Sequence, residues 1–132
     1  MLETKNRENF LKNAETLAFL GDAVFTLEVR KCLVETHNSK PNSLNKLANS
    51  VVCARFQAEI MKQILGSLTE QETDLVMRAR NSHLSGHKAK NSTLEEYSLA
   101  TQLEALMGVW FLNGENEKIK KVITNYCLEK LC

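Results

Sequence analysis

Apolar residues recur along this chain at intervals of three and four, the period of an amphipathic helix, and no stretch alternates as a strand would. Residues 3 to 13 are mostly polar and read as a short lead-in. From about Ala14 to Glu35, positions Leu17, Leu20, Val24 and Leu27, joined by Phe25, Val29 and Cys32, keep the helical period. Residues 36 to 42 break it, and Pro41, the only proline, suits the first turn of the next helix. That helix is expected to run on Leu44, Leu47, Val51, Ala58, Ile60, Met61, Ile64 and Leu65 as far as Gly66, a residue suited to ending it. Thr69-Glu70-Gln71-Glu72 is a capping box opening a shorter helix through Leu75, Val76 and Ala79. Residues 81 to 92 read as a loop. Thr93-Leu94-Glu95-Glu96 is a second capping box, opening a long apolar helix that closes at Asn113-Gly114. A last helix follows from about Glu115 to Leu131 on Ile119, Val122, Ile123, Tyr126, Cys127 and Leu131. The expectation is an all-α fold of five or six helices, with residues 1–132 as one domain.

Two of these helices carry a single acid inside an apolar run. Asp22 stands among eight uncharged neighbours from Leu17 to Phe25, and Glu104 is the only charge between Leu103 and Leu112. A helix that apolar is buried over most of its circumference, where an isolated ionised carboxylate is very costly. A basic partner, a set of hydrogen bonds or a bound cation must offset the cost, and two such acids can converge on one cation. Gly21 and Gly108, beside the acids, read equally as close packing points between helices or as room for a ligand.

Composition narrows the class less than pattern does. At 43% hydrophobic and 25% charged, with net charge +1, the chain has no general affinity for polyanions. Charge is nevertheless uneven: Arg78, Arg80, Lys88 and Lys90, with His83 and His87, fall between Met77 and Thr93, where there is no acid. Such a run is either a solvated face or a phosphate-binding segment. It holds no aromatic residue, which speaks against base stacking and for recognition of a duplex by its backbone and groove shape. His83 and His87 flank Ser85-Gly86 in a segment without helical pattern, and do not read as a zinc site. Cys32, Cys53, Cys127 and Cys132 form no Cys-x-x-Cys pair and suit a reducing compartment. No signal-peptide pattern opens the chain, and no apolar run approaches the roughly 20 residues that span a bilayer. A cytoplasmic location is expected.

The residues around the two acids resemble a known family. Leu17-Ala18-Phe19-Leu20-Gly21-Asp22-Ala23-Val24 resembles the signature of the ribonuclease III catalytic domain, whose pattern is Glu-Phe-Leu-Gly-Asp-Ala. Leu103-Glu104-Ala105-Leu106-Met107-Gly108 resembles its second acidic motif, and Leu44 to Met61 its intervening helix. With Arg78-Ala79-Arg80-Asn81 and Tyr97-Ser98-Leu99-Ala100-Thr101, about residues 14 to 130 resemble the Mini-III branch, a catalytic domain alone. The resemblance implies a helical homodimer in which each subunit cuts one strand of double-stranded RNA with Mg2+. Asp22 and Glu104 would be its catalytic, metal-holding acids, and Glu15 matches a further family acid. Ala18 and Thr101 stand where ribonuclease III usually has Glu and Asp, which leaves fewer carboxylates for the metal. Arg78, Arg80, His87, Lys88 and Lys90 are the candidate RNA-binding residues. The two arginines are two apart, so one can face phosphate while the other anchors the segment internally. Mini-III relatives imply processing of precursor ends of large-subunit (23S) ribosomal RNA. The missing acids admit an alternative, an inactive, dimeric RNA-binding or ribosome-associated protein of the same fold. A plain helical interaction protein without nucleic acid stays open too, but leaves the acid-free basic run unexplained.

Overall fold

The computed structural model describes residues 1–82 and 93–131, and among these it contains helices, turns and no strand. The helices are α1 (Leu2–Phe10), α2 (Ala14–Thr36), α3 (Pro41–Val51), α4 (Ala54–Ile64), α5 (Glu70–Asn81), α6 (Leu94–Leu112), α7 (Asn116–Val122) and α8 (Leu128–Leu131). Their ends follow local chemistry. Asn13 caps α2 by accepting the Thr16 N–H at 3.1 Å. Both capping boxes form: Thr69 with Glu72 at α5, and Thr93 with Glu96 at α6. Gly114 takes the left-handed conformation (φ +69°) just past α6, as helix ends favour.

Helix α6 is the centre of the fold, and α1, α2, α4, α5 and α7 all pack on it. From Leu99 to Trp110 every α6 residue except Glu104 is buried. Leu103, Leu106 and Met107 meet a core that includes Leu17, Phe25, Val29, Met61 and Leu75. Against α2 there is no layer of side chains at the closest point. A Cβ built on Gly21 would lie 1.6 Å from the Glu104 carbonyl oxygen, and one on Gly108 would lie 2.0 Å from that of Leu17. The glycines are therefore where two backbones touch, which decides between the two readings their sequence context allows.

Three boundaries differ from the sequence expectation. The polar lead-in is a helix, α1, held by polar contacts that hydrophobic patterning does not register. Asn9 donates to Asn113 at 2.7 Å, Asn113 donates to the Asn6 carbonyl at 3.3 Å, and Arg78 donates to the carbonyls of Phe10 and Lys12. The helix expected from Leu44 to Leu65 is two helices, broken at Val52 and Cys53, both weak helix formers. Apolar positions stay in phase across the break, from Val51 to Ala58, so periodicity gives no sign of it. The last helix contains a π-helical segment, Ile123–Cys127, between α7 and α8. Ile119, Ile123, Cys127 and Leu131 are all buried at four-residue steps. On a regular α-helix such steps drift by about 40° each, and the wider turn absorbs the drift.

The glycine contact is testable. Gly21→Ala and Gly108→Ala should each destabilise the protein by about 3 kcal/mol in urea unfolding, because each methyl meets backbone that cannot step aside. Gly66→Ala, with nothing within 4 Å of its Cβ, should stay within about 0.5 kcal/mol of wild type. Three equal, small effects would show that the helices are not in backbone contact.

Candidate active site

The α2–α6 crossing fixes two side chains as well as two backbones. Asp22 follows Gly21 directly, and Glu104 lies one turn before Gly108, so the two acids leave the same crossing. Their carboxyl groups share a hydrogen bond, and from α4 the buried Gln57 donates a hydrogen bond to Glu104. Asp22 is exposed and Glu104 mostly buried, so the pair has a dry side and an open one. Among the described residues neither carboxylate takes part in an ion pair. Burial first, then the hydrogen bond and charge of Asp22, push the Glu104 carboxyl up to about 8, against the opposing pull of Gln57.

The chain's other buried acid is treated differently. Glu72 is 3% exposed, and its carboxylate accepts from Trp110 Nε1 at 2.7 Å, Lys118 Nζ at 2.7 Å and the Thr69 N–H at 2.9 Å. Burial alone would raise its pKa. The hydrogen bonds of Lys118, Thr69 and Trp110, with the Lys118 charge, outweigh that and hold it below the ordinary carboxylate value. Glu72 is a satisfied structural acid, whereas the Asp22–Glu104 pair lacks a cation of its own among the described residues.

The remaining candidates divide. Ala18 and Thr101, one turn from each acid, are buried, and the Thr101 hydroxyl donates to the Tyr97 carbonyl of its own helix at 3.0 Å. Glu15 is exposed in the first turn of α2. Among the described residues no three His, Cys, Asp or Glu side chains cluster to hold a metal. Arg78 is the internal anchor of the two arginines: it pairs with Asp74 at 3.1 Å and donates to the α1 end. Arg80 is exposed, and among the described residues its guanidinium meets the Met77 sulfur at 4.0 Å. His83, His87, Lys88 and Lys90 lie outside the described residues. Gln57 went unread in the sequence, yet a signal exists. It precedes Ile60, Met61 and Ile64 by three, four and seven residues, so a polar side chain occupies the buried stripe of α4.

The ribonuclease III domain matches residues 15–115, and the chain belongs to the ribonuclease III family; it is an endoribonuclease. Within that family it is 40% identical over 121 residues to mini-ribonuclease 3 of Brevibacillus brevis, covering 92% of this chain and 90% of that protein. It is 36% identical over 121 residues to mini-ribonuclease 3 of Enterococcus faecalis, covering 90% of each. A crystal structure of a Fusobacterium nucleatum protein, 36% identical, aligns with a TM-score of 0.78 over 87% of this chain and 92% of that one. No helix among the described residues is long and apolar enough to cross a membrane.

The raised Glu104 pKa makes stability depend on pH. Glu104 ionises near 4.5 in the unfolded chain and near 8 in the folded one. Between those values the unfolded state is favoured by its easier ionisation, so stability falls as pH rises from 4.5 to 8 and levels off above. Glu104→Gln removes this penalty. In thermal melts with chelator present, its advantage over wild type should grow by about 2 kcal/mol from pH 4.5 to pH 8, less than the full shift because the site is partly open. A difference that does not vary with pH would show that Glu104 titrates normally.

Proposed function

We propose that the chain cleaves double-stranded RNA with Mg2+, using Asp22 and Glu104 as the catalytic acids that hold the ion. The observation that carries this reading is the Asp22–Glu104 contact: two carboxylates brought together from rigid helices, with no basic partner between them among the described residues. The donor set suits a hard cation that binds oxygen and keeps several waters, which two carboxylates with one open side leave room for. When bound, Mg2+ supplies an activated water for in-line attack on phosphorus and stabilises the leaving 3′ oxygen. The chain contributes the rest. The exposed side of Asp22 admits the phosphodiester, the buried side of Glu104 keeps one carboxylate fixed, and the backbone contact at Gly21 and Gly108 prevents the acids from separating.

The RNA partner is read from charge. Arg80 projects from the end of α5, and His87, Lys88 and Lys90 follow it, so these residues would bind phosphates of the duplex. Arg78 would support them by fixing the helix end. We take the ends of precursor 23S ribosomal RNA as the natural substrate and the cytoplasm as its place, both on the resemblance to the Mini-III branch. Cuts in both strands need two sites, and one chain offers one pair of acids. The exposed α2 stripe of Phe19 (83% exposed), Leu27 (59%) and Val34 (68%) supports a homodimer about a two-fold axis. Val24, Phe25 and Val29 of the same helix are core instead. The loss of acids at Ala18 and Thr101 favours the second reading, an inactive RNA-binding dimer, and the same assay decides between them.

With long double-stranded RNA, wild-type protein should cleave in Mg2+ and not in EDTA, and Asp22→Asn should lose activity by about a thousandfold or more while keeping fold and RNA affinity. Cleavage by Asp22→Asn near the wild-type rate would remove Asp22 from the chemistry, and a wild-type protein that binds RNA without cutting it would establish the inactive reading. Multi-angle light scattering at micromolar concentration should give twice the 14.9 kDa chain mass. Phe19→Glu should shift it toward the single mass, because a charge at an apolar contact is left without water or a partner.

A further inference from the structure

Beside the acid pair lies an uncharged polar residue, Gln57, whose side chain hydrogen-bonds Glu104. It is 4% exposed, on the face of α4 that packs against α6, in line with the core residues Ile60, Met61 and Ile64. A buried primary amide is costly unless it is hydrogen-bonded, and an aliphatic residue would fill the stripe without that cost. Its carboxamide donates to the Glu104 carboxylate. An Arg or Lys at this position would donate as well, but its charge would satisfy Glu104 in the way Lys118 satisfies Glu72 and would repel a cation. An acid would place a third negative group beside the two and would donate nothing when ionised. A neutral donor is the one choice that orients Glu104 and leaves its charge available.

We propose that Gln57 is a positioning residue for the cation site: held by the core of α4, it fixes the Glu104 carboxylate in the orientation that faces Asp22. It acts through Glu104, and needs no contact with RNA or with the metal. The proposal rests on the reading of Asp22 and Glu104 as the ion-holding pair. It assigns the site three helices in place of two, with α4 contributing the neutral donor to Glu104. Outer partners that orient metal-binding side chains commonly govern metal affinity by about ten- to a hundredfold.

The test measures metal binding apart from catalysis. Gln57→Met keeps the volume of the side chain and removes the donor. Mn2+ binding, followed by electron paramagnetic resonance on RNA-free protein, should weaken by about tenfold or more in Gln57→Met. The Mg2+ concentration for half-maximal cleavage should rise by a similar factor, while RNA affinity is unchanged and the rate at saturating Mg2+ recovers most of its wild-type value. A variant with a lowered melting temperature but unchanged Mn2+ affinity and Mg2+ dependence would make Gln57 a packing residue and overturn the proposal. If Gln57→Met does not fold, the Gln57 side-chain amide resonance of wild-type protein decides: it should move on titration with Mg2+, and a stationary signal overturns the proposal. Wild-type protein that binds Mn2+ no better than Asp22→Asn would overturn the metal reading of the pair, and the role of Gln57 with it. Binding that is lost in Asp22→Asn and unaltered in Gln57→Met would overturn the role of Gln57 alone.

Discussion

The contact of two helix backbones at Gly21 and Gly108 is the constraint on which the rest of the structure depends. Side chains normally hold helix axes 8–10 Å apart or so, and they can repack around a substitution. Here the side-chain layer is missing at the crossing, and the neighbours of each absent Cβ are carbonyl and amide groups of the other helix. That leaves the crossing little freedom to slide or rotate. It also explains why Asp22 and Glu104, far apart in the sequence, meet with their carboxyl groups in hydrogen-bonding reach. The close approach of the backbones shortens the distance that two short acidic side chains have to cover.

Glu72 and Glu104 show two ways of keeping a carboxylate among apolar helices. Glu72 spends its acceptors on Thr69, Trp110 and Lys118 and remains ionised in a closed site. Glu104 has a second acid and a neutral amide for company, and its charge is opposed by both burial and Asp22. The first arrangement ties α5, α6 and α7 together, and so contributes to stability. The second detracts from it, a pattern that sites built for binding often show. The contrast separates an acid satisfied by the fold from one left without a cation among the described residues, without reference to any relative of the chain.

Much of this was legible before the fold was known, for reasons that differ by residue. Asp22 and Glu104 stand out because a charge in an apolar helix is improbable without a role, and both capping boxes were readable because their hydrogen bonds are local. The all-helical class followed from period alone. Gln57 escaped because a single amide on a helix is unremarkable until its helix face is known to be buried. Helix α1 escaped because Asn6, Asn9, Asn113 and Arg78 hold it through bonds to residues distant in the chain. The two readings of Gly21 and Gly108 differ only in what lies opposite each Cβ, which no one-dimensional pattern contains. The π-helical segment lay in view as a run of four-residue spacings, although a regular helix was the simpler expectation.

The attachment of α1 has a consequence for how the molecule opens. Asn9 is its only buried residue, and its bonds to the body of the protein are amide–amide and guanidinium–carbonyl contacts. Releasing it exposes Phe10, its one hydrophobic side chain packed against the core, and little other apolar surface, so the change in heat capacity should be modest. The helix is therefore expected to open locally, its amides exchanging with solvent before those of α6. Its partner Arg78 lies two residues before Arg80 on α5. Its ion pair with Asp74 lies within α5, so undocking of α1 would withdraw two carbonyl acceptors from the Arg78 guanidinium and leave its charge paired as before.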